Sequence, residues 1–173
     1  AAIGNPRTPE IQFGIPLGLS YKGFDFSMLW QGSGLCSVQL SGPAVWDFPL
    51  YDQSRTGKVR KMHLNRWTPE TAATATYPAL HYGIHNNNKQ QYSSLFLYDA
   101  SYIRLKNVEI GYTLPKAWTS KAGIQSVRIY AQGQNLLTFD RLGDVDMDPE
   151  IKNGDGSWFP VQRVVNLGIN MTF

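Results

Sequence analysis

The chain has little of what several common protein classes need. Cys36 is its only cysteine, so it can form neither an internal disulfide nor a zinc site built from cysteines. No segment approaches the roughly 18 consecutive apolar residues of a membrane-spanning helix. The net charge is only +3, and no lysine or arginine cluster alternates with stacking aromatics, so nucleic-acid binding is not indicated. Charged residues amount to 17%, which is low for a soluble surface.

The last segment, residues 159–173, alternates between apolar residues and small or polar ones. Every second residue, counted back from the end, is apolar except Arg163. The set is Phe173, Met171, Ile169, Leu167, Val165, Arg163, Val161 and Phe159. Successive side chains of a strand point to opposite faces, so this pattern predicts a strand. The ending on an aromatic residue resembles the closing strands of bacterial outer-membrane barrels. We expect the apolar residues nearest the end to act as a signal for barrel assembly: Phe173, Met171, Ile169 and Leu167.

Four further segments alternate in the same way and predict strands over residues 11–21, 24–32, 101–114 and 126–139. Residues 22–23 predict a tight turn between the first two. The third segment changes phase near Lys106, which predicts a β-bulge. Pro16 lacks a ladder donor, so we expect an irregularity in the first strand. Residues 115–123 predict one helical turn, with proline near its start and glycine after its end.

The connections between these strands alternate in length along the chain. Residues 22–23 and 115–124 form short connections, whereas residues 33–99 and 140–158 form long ones. In an antiparallel sheet, all short connections lie at one end, as in outer-membrane barrels with short periplasmic turns and long extracellular loops. Strands of about ten residues, tilted by about 45°, also match the height of the apolar band of such barrels. Because five strands cannot close a barrel, we predict an all-β, antiparallel segment of a transmembrane barrel wall.

Several segments have amino-acid sequences that are specific to one protein family. The clearest are SYIRLKNVEIGYTLP at 101–115, GQNLLT at 133–138, DPE at 148–150 and the final segment 159–173. Three segments upstream are also similar to sequences of this family: IGNP at 3–6, NRWTPE at 65–70 and YP at 77–78. The chain thus resembles the SusC/RagA family of TonB-dependent outer-membrane transporters over nearly its whole length, least of all at residues 33–62.

The resemblance implies a 22-stranded barrel that is closed by an N-terminal plug. This chain would supply about five C-terminal strands of it. A SusD-like surface lipoprotein would act as the lid, and the pair would import glycans or peptides with energy relayed by TonB through the missing N-terminal part. We interpret the start at Ala1 as a cut within a longer protein that contains the plug. The further partners implied are outer-membrane lipid and the barrel-assembly machinery, with no cofactor and no enzymatic activity.

Two groups of side chains are candidates for contacts within such a transporter. On the polar side of the strands, the residues that we expect to face the lumen and plug are Arg104, Glu109, Arg128, Tyr130, Gln132 and Gln134. The long loops contain the aromatics Trp46, Tyr51, Trp67, Tyr77, Tyr82, Tyr92 and Trp158. Sugar rings stack on aromatic faces, so we select Trp46, Trp67, Tyr82 and Trp158 as candidate ligand or lid contacts. We favour the alternative, in which these rings pack a long loop against itself or anchor the lid.

Metal and catalytic sites find weaker support. His81 and His85 are four residues apart, but Gly83 lies between them in a segment that has the character of a loop. With His63 included, we therefore expect solvated loop histidines and no metal site. The acidic segment 144–155 begins like a calcium loop but has Pro149 where glycine is required, and we expect it to dock the partner or lipopolysaccharide. Calcium binding stays open as an alternative. No nucleophile, base and orienting group are brought together by the strand spacing.

The rival hypothesis is a soluble, secreted β-sandwich that binds carbohydrate, with a β-jelly-roll enzyme as a more distant one. A sandwich explains the alternation and the aromatics but not the alternating loop lengths. It requires the apolar faces to be buried against a second sheet. Exposure of these faces therefore discriminates between the two folds.

Overall fold

The structure, a computed structural model, describes residues 3–45, 61–80, 93–145, 147–151, 154–156 and 158–173. It divides into two compact units. The sheet unit consists of Ile11–Ser33, Tyr102–Phe139 and Val161–Phe173, and the loop unit of Ala1–Glu10, Gly34–Ser101 and Asp140–Pro160. None of the helices in the described residues has both the length and the apolar character that crossing a membrane requires.

In the described residues the chain forms seven strands and one short α-helix. They are β1 Ile11–Tyr21, β2 Phe24–Gly34, β3 Ser37–Gln39, β4 Leu97–Asp99, β5 Tyr102–Thr113, α1 Lys116–Thr119, β6 Ser126–Asp140 and β7 Val164–Thr172. The sheet unit is one five-stranded sheet in the order β1-β2-β5-β6-β7. Strands β2 and β5 pair antiparallel, as do β6 and β7. The prediction of an all-β, antiparallel fold is confirmed.

The register of the sheet places apolar residues beside apolar residues. Strand β2 meets β5 through the pairs Phe24–Tyr112, Phe26–Ile110, Met28–Val108 and Trp30–Leu105. Strand β6 meets β7 through the pairs Val127–Met171, Ile129–Ile169 and Ala131–Leu167. This face, which we call the apolar face, is largely exposed: Leu19, Ile110, Ile129 and Leu167 have between 48% and 84% of their surface accessible. In the described part of the chain it is not buried as a sandwich would require.

The β-bulge predicted from the sequence is present. Leu29 pairs with Asn107 and Trp30 with Leu105, so Lys106 is the extra residue of the bulge. Strand β1 runs through Pro16 and is the edge strand of the described sheet, where proline is tolerated when its nitrogen faces away from the neighbouring strand. An irregularity in the pairing of β1 at Pro16 stays a prediction.

Both short connections have the predicted geometry. Lys22 and Gly23 have φ of 47° and 86°, so both central residues of the hairpin turn are left-handed, as in a type I′ turn. Helix α1 is followed by a 3₁₀ turn at Ser120–Ala122. This turn is capped by Gly123, whose φ is 70°. Thr113 and Gly23 are joined by a backbone hydrogen bond of 2.8 Å, so the two connections begin at the same end of the sheet.

The last strand is shorter than predicted. We expected it to begin at residue 159, but β7 begins at Val164. Pairing with β6 starts at Gln134, and the next residue of β6, Asn135, is left-handed with φ of 54°, so the strand is redirected there. The Asn135 side-chain amide donates to the Gln162 carbonyl at 3.0 Å in place of a ladder bond. Pro160, which has no N–H, could not have continued the ladder.

The long connections do not behave as separate loops, because together they form the loop unit. Strands β3 and β4 pair antiparallel, and 3₁₀ turns occupy Gly42–Ala44, Lys61–Asn65 and Ser94–Phe96. Both connections contribute to one buried cluster: Cys36, Val38, Leu40, Ala44, Val45, Met62, Tyr77, Phe96, Ala100, Leu142 and Val145. Sequence periodicity did not reveal this core, since its members are spread over more than a hundred positions without a repeat.

Candidate functional site

The face of the sheet opposite the apolar face carries the predicted polar residues. The register places Glu109 beside Ser27 and Arg104 beside Gln31. On β6, the alternate residues Arg128, Tyr130, Gln132 and Gln134 pair with β7 positions of the same face. We call this side the polar face. All six residues selected from the sequence therefore lie on strands at positions that alternate with the apolar ones.

Three strands are tied together by one ion cluster on the polar face. The Arg128 Nε donates to Asp25 Oδ2 at 3.0 Å, while its Nη2 donates both to Asp25 Oδ1 and to Glu109 Oε1. Asp25 lies on β2, Glu109 on β5 and Arg128 on β6, so the cluster crosses the middle of the sheet. The three side chains are partly buried, and two carboxylates with one guanidinium leave a net charge of −1.

Asp25 was missed by the sequence selection. It has no motif of its own, but it stands between Phe24 and Phe26, two residues of the apolar face. That position alone places it on the polar face. Its pairing with Arg128, 103 residues away, could not be derived without the order of the strands.

Glycines make room for the large side chains of β6. The Arg128 guanidinium lies over Gly111 of β5, and the Tyr130 ring lies over Gly168 of β7, so a methyl group at either glycine would overlap these side chains. The Arg128 guanidinium carbon is also 5.1 Å from the centre of the Tyr130 ring, within the range of a cation–π contact. The polar face is therefore a packed layer of side chains and not an open row of solvated groups.

Arg104 occupies a second, more buried position on the polar face. Its Nε donates to Thr138 Oγ1 at 2.9 Å, and its guanidinium lies 5.4 Å from the centre of the Tyr102 ring. Residue Thr138 belongs to β6 and Arg104 to β5, so this contact also joins neighbouring strands. Gln132 and Gln134 lie on β6 between Arg128 and Thr138, the residue that Arg104 contacts. They pair with Asn166 and Val164 of β7.

The aromatic candidates of the loop unit separate into two groups. Trp67 and Trp158 are exposed, whereas Tyr77 is buried, with its hydroxyl donating to the Val45 carbonyl at 2.7 Å. Burial, with a smaller effect of Tyr98, raises the pKa of the Tyr77 phenol well above its usual range. Tyr77 therefore packs the loop unit against itself. The remaining aromatic candidates lie outside the described residues: Trp46, Tyr51, Tyr82 and Tyr92.

His63 differs from the expectation of a solvated loop histidine. It is buried, and its ring lies 4.7 Å from the ring of Tyr77. The 3₁₀ turn Lys61–Asn65 directs it into the core together with Met62. His81 and His85 lie outside the described residues. No group of three or more metal-ligating side chains is present in the part of the chain that the structure describes.

Two carboxylates of the acidic segment 144–155 accept hydrogen bonds from within the chain. Asp144 accepts a hydrogen bond from the Asn65 amide at 3.4 Å, and Asp148 accepts one from the backbone of Glu150 at 2.9 Å. Asp146 and Asn153 lie outside the described residues. Docking of a partner by this segment, like calcium binding, stays a prediction.

The four residues expected to signal assembly lie on the apolar face or directly after β7. Leu167, Ile169 and Met171 are exposed on that strand, and Phe173 follows it, also exposed. In the register, Leu167, Ile169 and Met171 pair with apolar residues of β6. Recognition of these four residues by an assembly machinery stays a prediction.

The chain is similar over almost its whole length to proteins of one kind. It is 31% identical to the TonB-dependent receptor P3 of Formosa agariphila, with 99% of the chain and 17% of that receptor covered. It is 25% identical to the TonB-dependent receptor SusC of Bacteroides thetaiotaomicron, with 95% of the chain and 15% of SusC covered. The chain thus spans about a sixth of the length of these curated relatives. No family model matches the chain.

Solved structures agree with the sequence comparison. The RagAB peptide transporter superposes with a TM-score of 0.71 and 27% identity, covering 99% of this chain and 18% of that one. The RagAB peptide importer in its closed-closed state gives a TM-score of 0.73 at 26% identity, again covering 99% and 18%. These proteins are receptors and transporters, not enzymes. Together with the antiparallel sheet and its two contrasting faces, the comparisons identify the chain as a SusC/RagA-type segment of a TonB-dependent receptor.

Proposed function

We propose that this chain is part of the wall of an outer-membrane β-barrel through which a TonB-dependent receptor imports nutrients. The observation that carries the proposal is the contrast between the two faces of one sheet. The apolar face is continuous across the strands and exposed, as a lipid-facing wall requires. The polar face holds a charged cluster that joins β2, β5 and β6, and a polar lumen accommodates such charges better than lipid does.

The positions of the short and long connections support an orientation for this wall. Residues 22–23 and 115–124 lie at one end of the sheet, which we assign to the periplasm. The long connections, residues 33–99 and 140–158, then belong to the extracellular side. The five strands take the C-terminal place in a barrel of 22 strands, as the resemblance implies.

The partners follow from the two sides of the wall. The polar face, with Arg128 and Arg104, faces the plug of the same receptor, and a SusD-like lipoprotein covers the extracellular side. RagAB transports peptides, and this name supports a peptide as one class of cargo, with glycans as the other. Energy reaches the receptor from TonB through the plug. Exposed Trp67 and Trp158 are available for contacts with the lid or cargo.

Site-directed labelling at two adjacent residues tests the wall. Leu167, which is 84% exposed on the apolar face, and Asn166, on the polar face, are changed singly to cysteine in the full-length receptor freed of other reactive cysteines. In liposomes, we expect a fluorophore at L167C to report an apolar, lipid-quenched environment. The same fluorophore at N166C should report a polar one. Equal quenching at both positions would exclude a lipid-facing wall.

The ion cluster gives a second prediction. Arg128→Met leaves Asp25 and Glu109 close together without their cation, and partly buried like charges are destabilising. We expect several-fold less folded receptor in the membrane fraction, measured by heat-modifiable migration on gels. Adding Asp25→Asn and Glu109→Gln should restore most of it, because the repulsion is gone. Gln132→Met on the same strand and face is the control and should have little effect; no rescue would contradict the electrostatic explanation.

A further inference from the structure

The short-connection end of the sheet has an unbalanced positive charge. Residues 112–126 contain Lys116 and Lys121 but no Asp or Glu, and residues 19–24 contain Lys22 and likewise no acid. The side chains of the last ten residues carry no charge. The carboxylates nearest in sequence, Asp25 and Glu109, share Arg128 on the polar face, so their net charge of −1 offsets only part of the charge of the three lysines. All three lysines are exposed.

The backbone holds these lysines at the same end of the sheet. The Thr113 N–H donates to the Gly23 carbonyl at 2.8 Å, so the turn that carries Lys22 lies against the end of β5. Three residues after Thr113, Lys116 opens helix α1. Lys121 lies in the 3₁₀ turn that follows this helix and leads into β6.

Lys22 stands at a position that its side chain does not favour. Its φ is 47°, in the left-handed region where asparagine, aspartate and glycine are preferred in hairpin turns. Backbone strain of this kind is often found where a side chain is needed for function. The Lys22 ammonium lies 5.1 Å from the centre of the Tyr21 ring, at the border between the turn and the apolar face.

Exposed aromatic side chains accompany the lysines. Trp118, in the four-residue helix α1, is 67% exposed. Tyr21 and Phe24 are exposed beside the hairpin turn. Indole and phenol rings favour the zone between hydrocarbon and headgroups of a membrane, because they combine an apolar body with a polar tip. Lysine side chains near them can extend their ammonium groups towards the headgroups.

We propose that Lys22, Lys116 and Lys121 together with Trp118, which we name the basic rim, bind the headgroup of an anionic phospholipid in the adjoining leaflet. The inference rests on the proposed membrane wall. Charge complementarity favours a phosphate-bearing, negatively charged ligand, and the rim is continuous with the apolar face, along which acyl chains can lie. A soluble protein partner would gain nothing from that continuity, so lipid is the better fit.

Lipid binding by the full-length receptor tests the basic rim. The receptor is delipidated in non-ionic detergent, and native mass spectrometry measures the binding of phosphatidylglycerol against phosphatidylcholine. The triple variant is K22N, K116Q and K121Q; asparagine suits the left-handed turn, and glutamine suits a helix. Lys61→Gln, an exposed lysine of the loop unit, is the matched control.

We expect each rim lysine to contribute about fivefold to the preference for phosphatidylglycerol, so the triple variant loses on the order of a hundredfold. An unchanged preference in the triple variant, or an equal loss in K61Q, would overturn the proposal. Unchanged lipid preference with loss of a co-purifying periplasmic protein would also overturn it and assign the rim to protein docking. Reconstitution of the folded, detergent-purified wild type into pure phosphatidylcholine vesicles is measured separately, and its failure would refute the wall and not merely the rim.

Discussion

Gly154→Ala should disrupt the loop unit while leaving the sheet unit folded. A Cβ at Gly154 would lie 1.7 Å from the Gln39 carbonyl oxygen, which is backbone and cannot rotate away. The Ser41 N–H donates to the Gly154 carbonyl at 2.8 Å, so the two connections touch along their main chains here. Separating them removes this bond and opens the cluster around buried Leu40. We expect a cost of about 3 kcal/mol or more, at the upper end for overpacking.

Gly143→Ala is the matched control for this substitution. Gly143 lies in the same long connection and has φ of 65°, but a Cβ there would meet no atom within 4 Å. Its replacement should cost about 1 kcal/mol, from backbone conformation alone. Hydrogen exchange of the full-length receptor provides the measurement, with amides of β3 and β4 exchanging faster in G154A and those of β5 and β6 serving as the internal reference. Equal exchange in the two variants would show that the close approach at Gly154 has no energetic importance.

The sheet was predictable because its period is local. Alternation in steps of two revealed every strand of the sheet unit, and the change of phase in the third segment revealed the bulge at Lys106. The same alternation sorted Arg128 and Glu109 to one face. The predicted start of β7 was wrong because an alternating sequence pattern can continue where backbone hydrogen bonding between strands cannot. Asn135 turns the partner strand away, and Pro160 has no backbone N–H to donate.

The loop unit was not predictable, because nothing in it repeats. Its core joins Leu142 to Cys36 and Val38 by contacts that depend on the final placement of both long connections. The prediction that His63 is solvated was wrong for the same reason, because nothing in the sequence distinguishes a buried loop histidine from an exposed one. The Arg128 cluster required the strand order, which places β2, β5 and β6 side by side although β2 and β5 are far apart in sequence.

Leu167→Arg should be among the most damaging single changes to the wall, whereas Asn166→Arg should be tolerated. The two residues are adjacent on β7, hence at almost the same depth, but Leu167 lies on the apolar face beside Ala131 and Asn166 on the polar face beside Gln132. An arginine that faces lipid near the middle of the bilayer costs about 2–4 kcal/mol, while one that faces the lumen reaches water or polar groups. The difference between the variants therefore isolates the direction of the side chain.

A depth series on the same strand sharpens this prediction. Met171 shares the apolar face with Leu167 but lies four residues further along, near the end of β7, so Met171→Arg should cost only about 0–1 kcal/mol as its charge reaches the interface. The measurement is the folded fraction of the full-length receptor in phospholipid vesicles over a urea series, with each variant compared with the wild type. The wall requires the order of cost L167R, then M171R, then N166R. A sheet buried in a soluble protein would instead make L167R and M171R similarly harmful, since protein packing has no gradient along a membrane normal, and that result would refute the assignment of the apolar face to lipid.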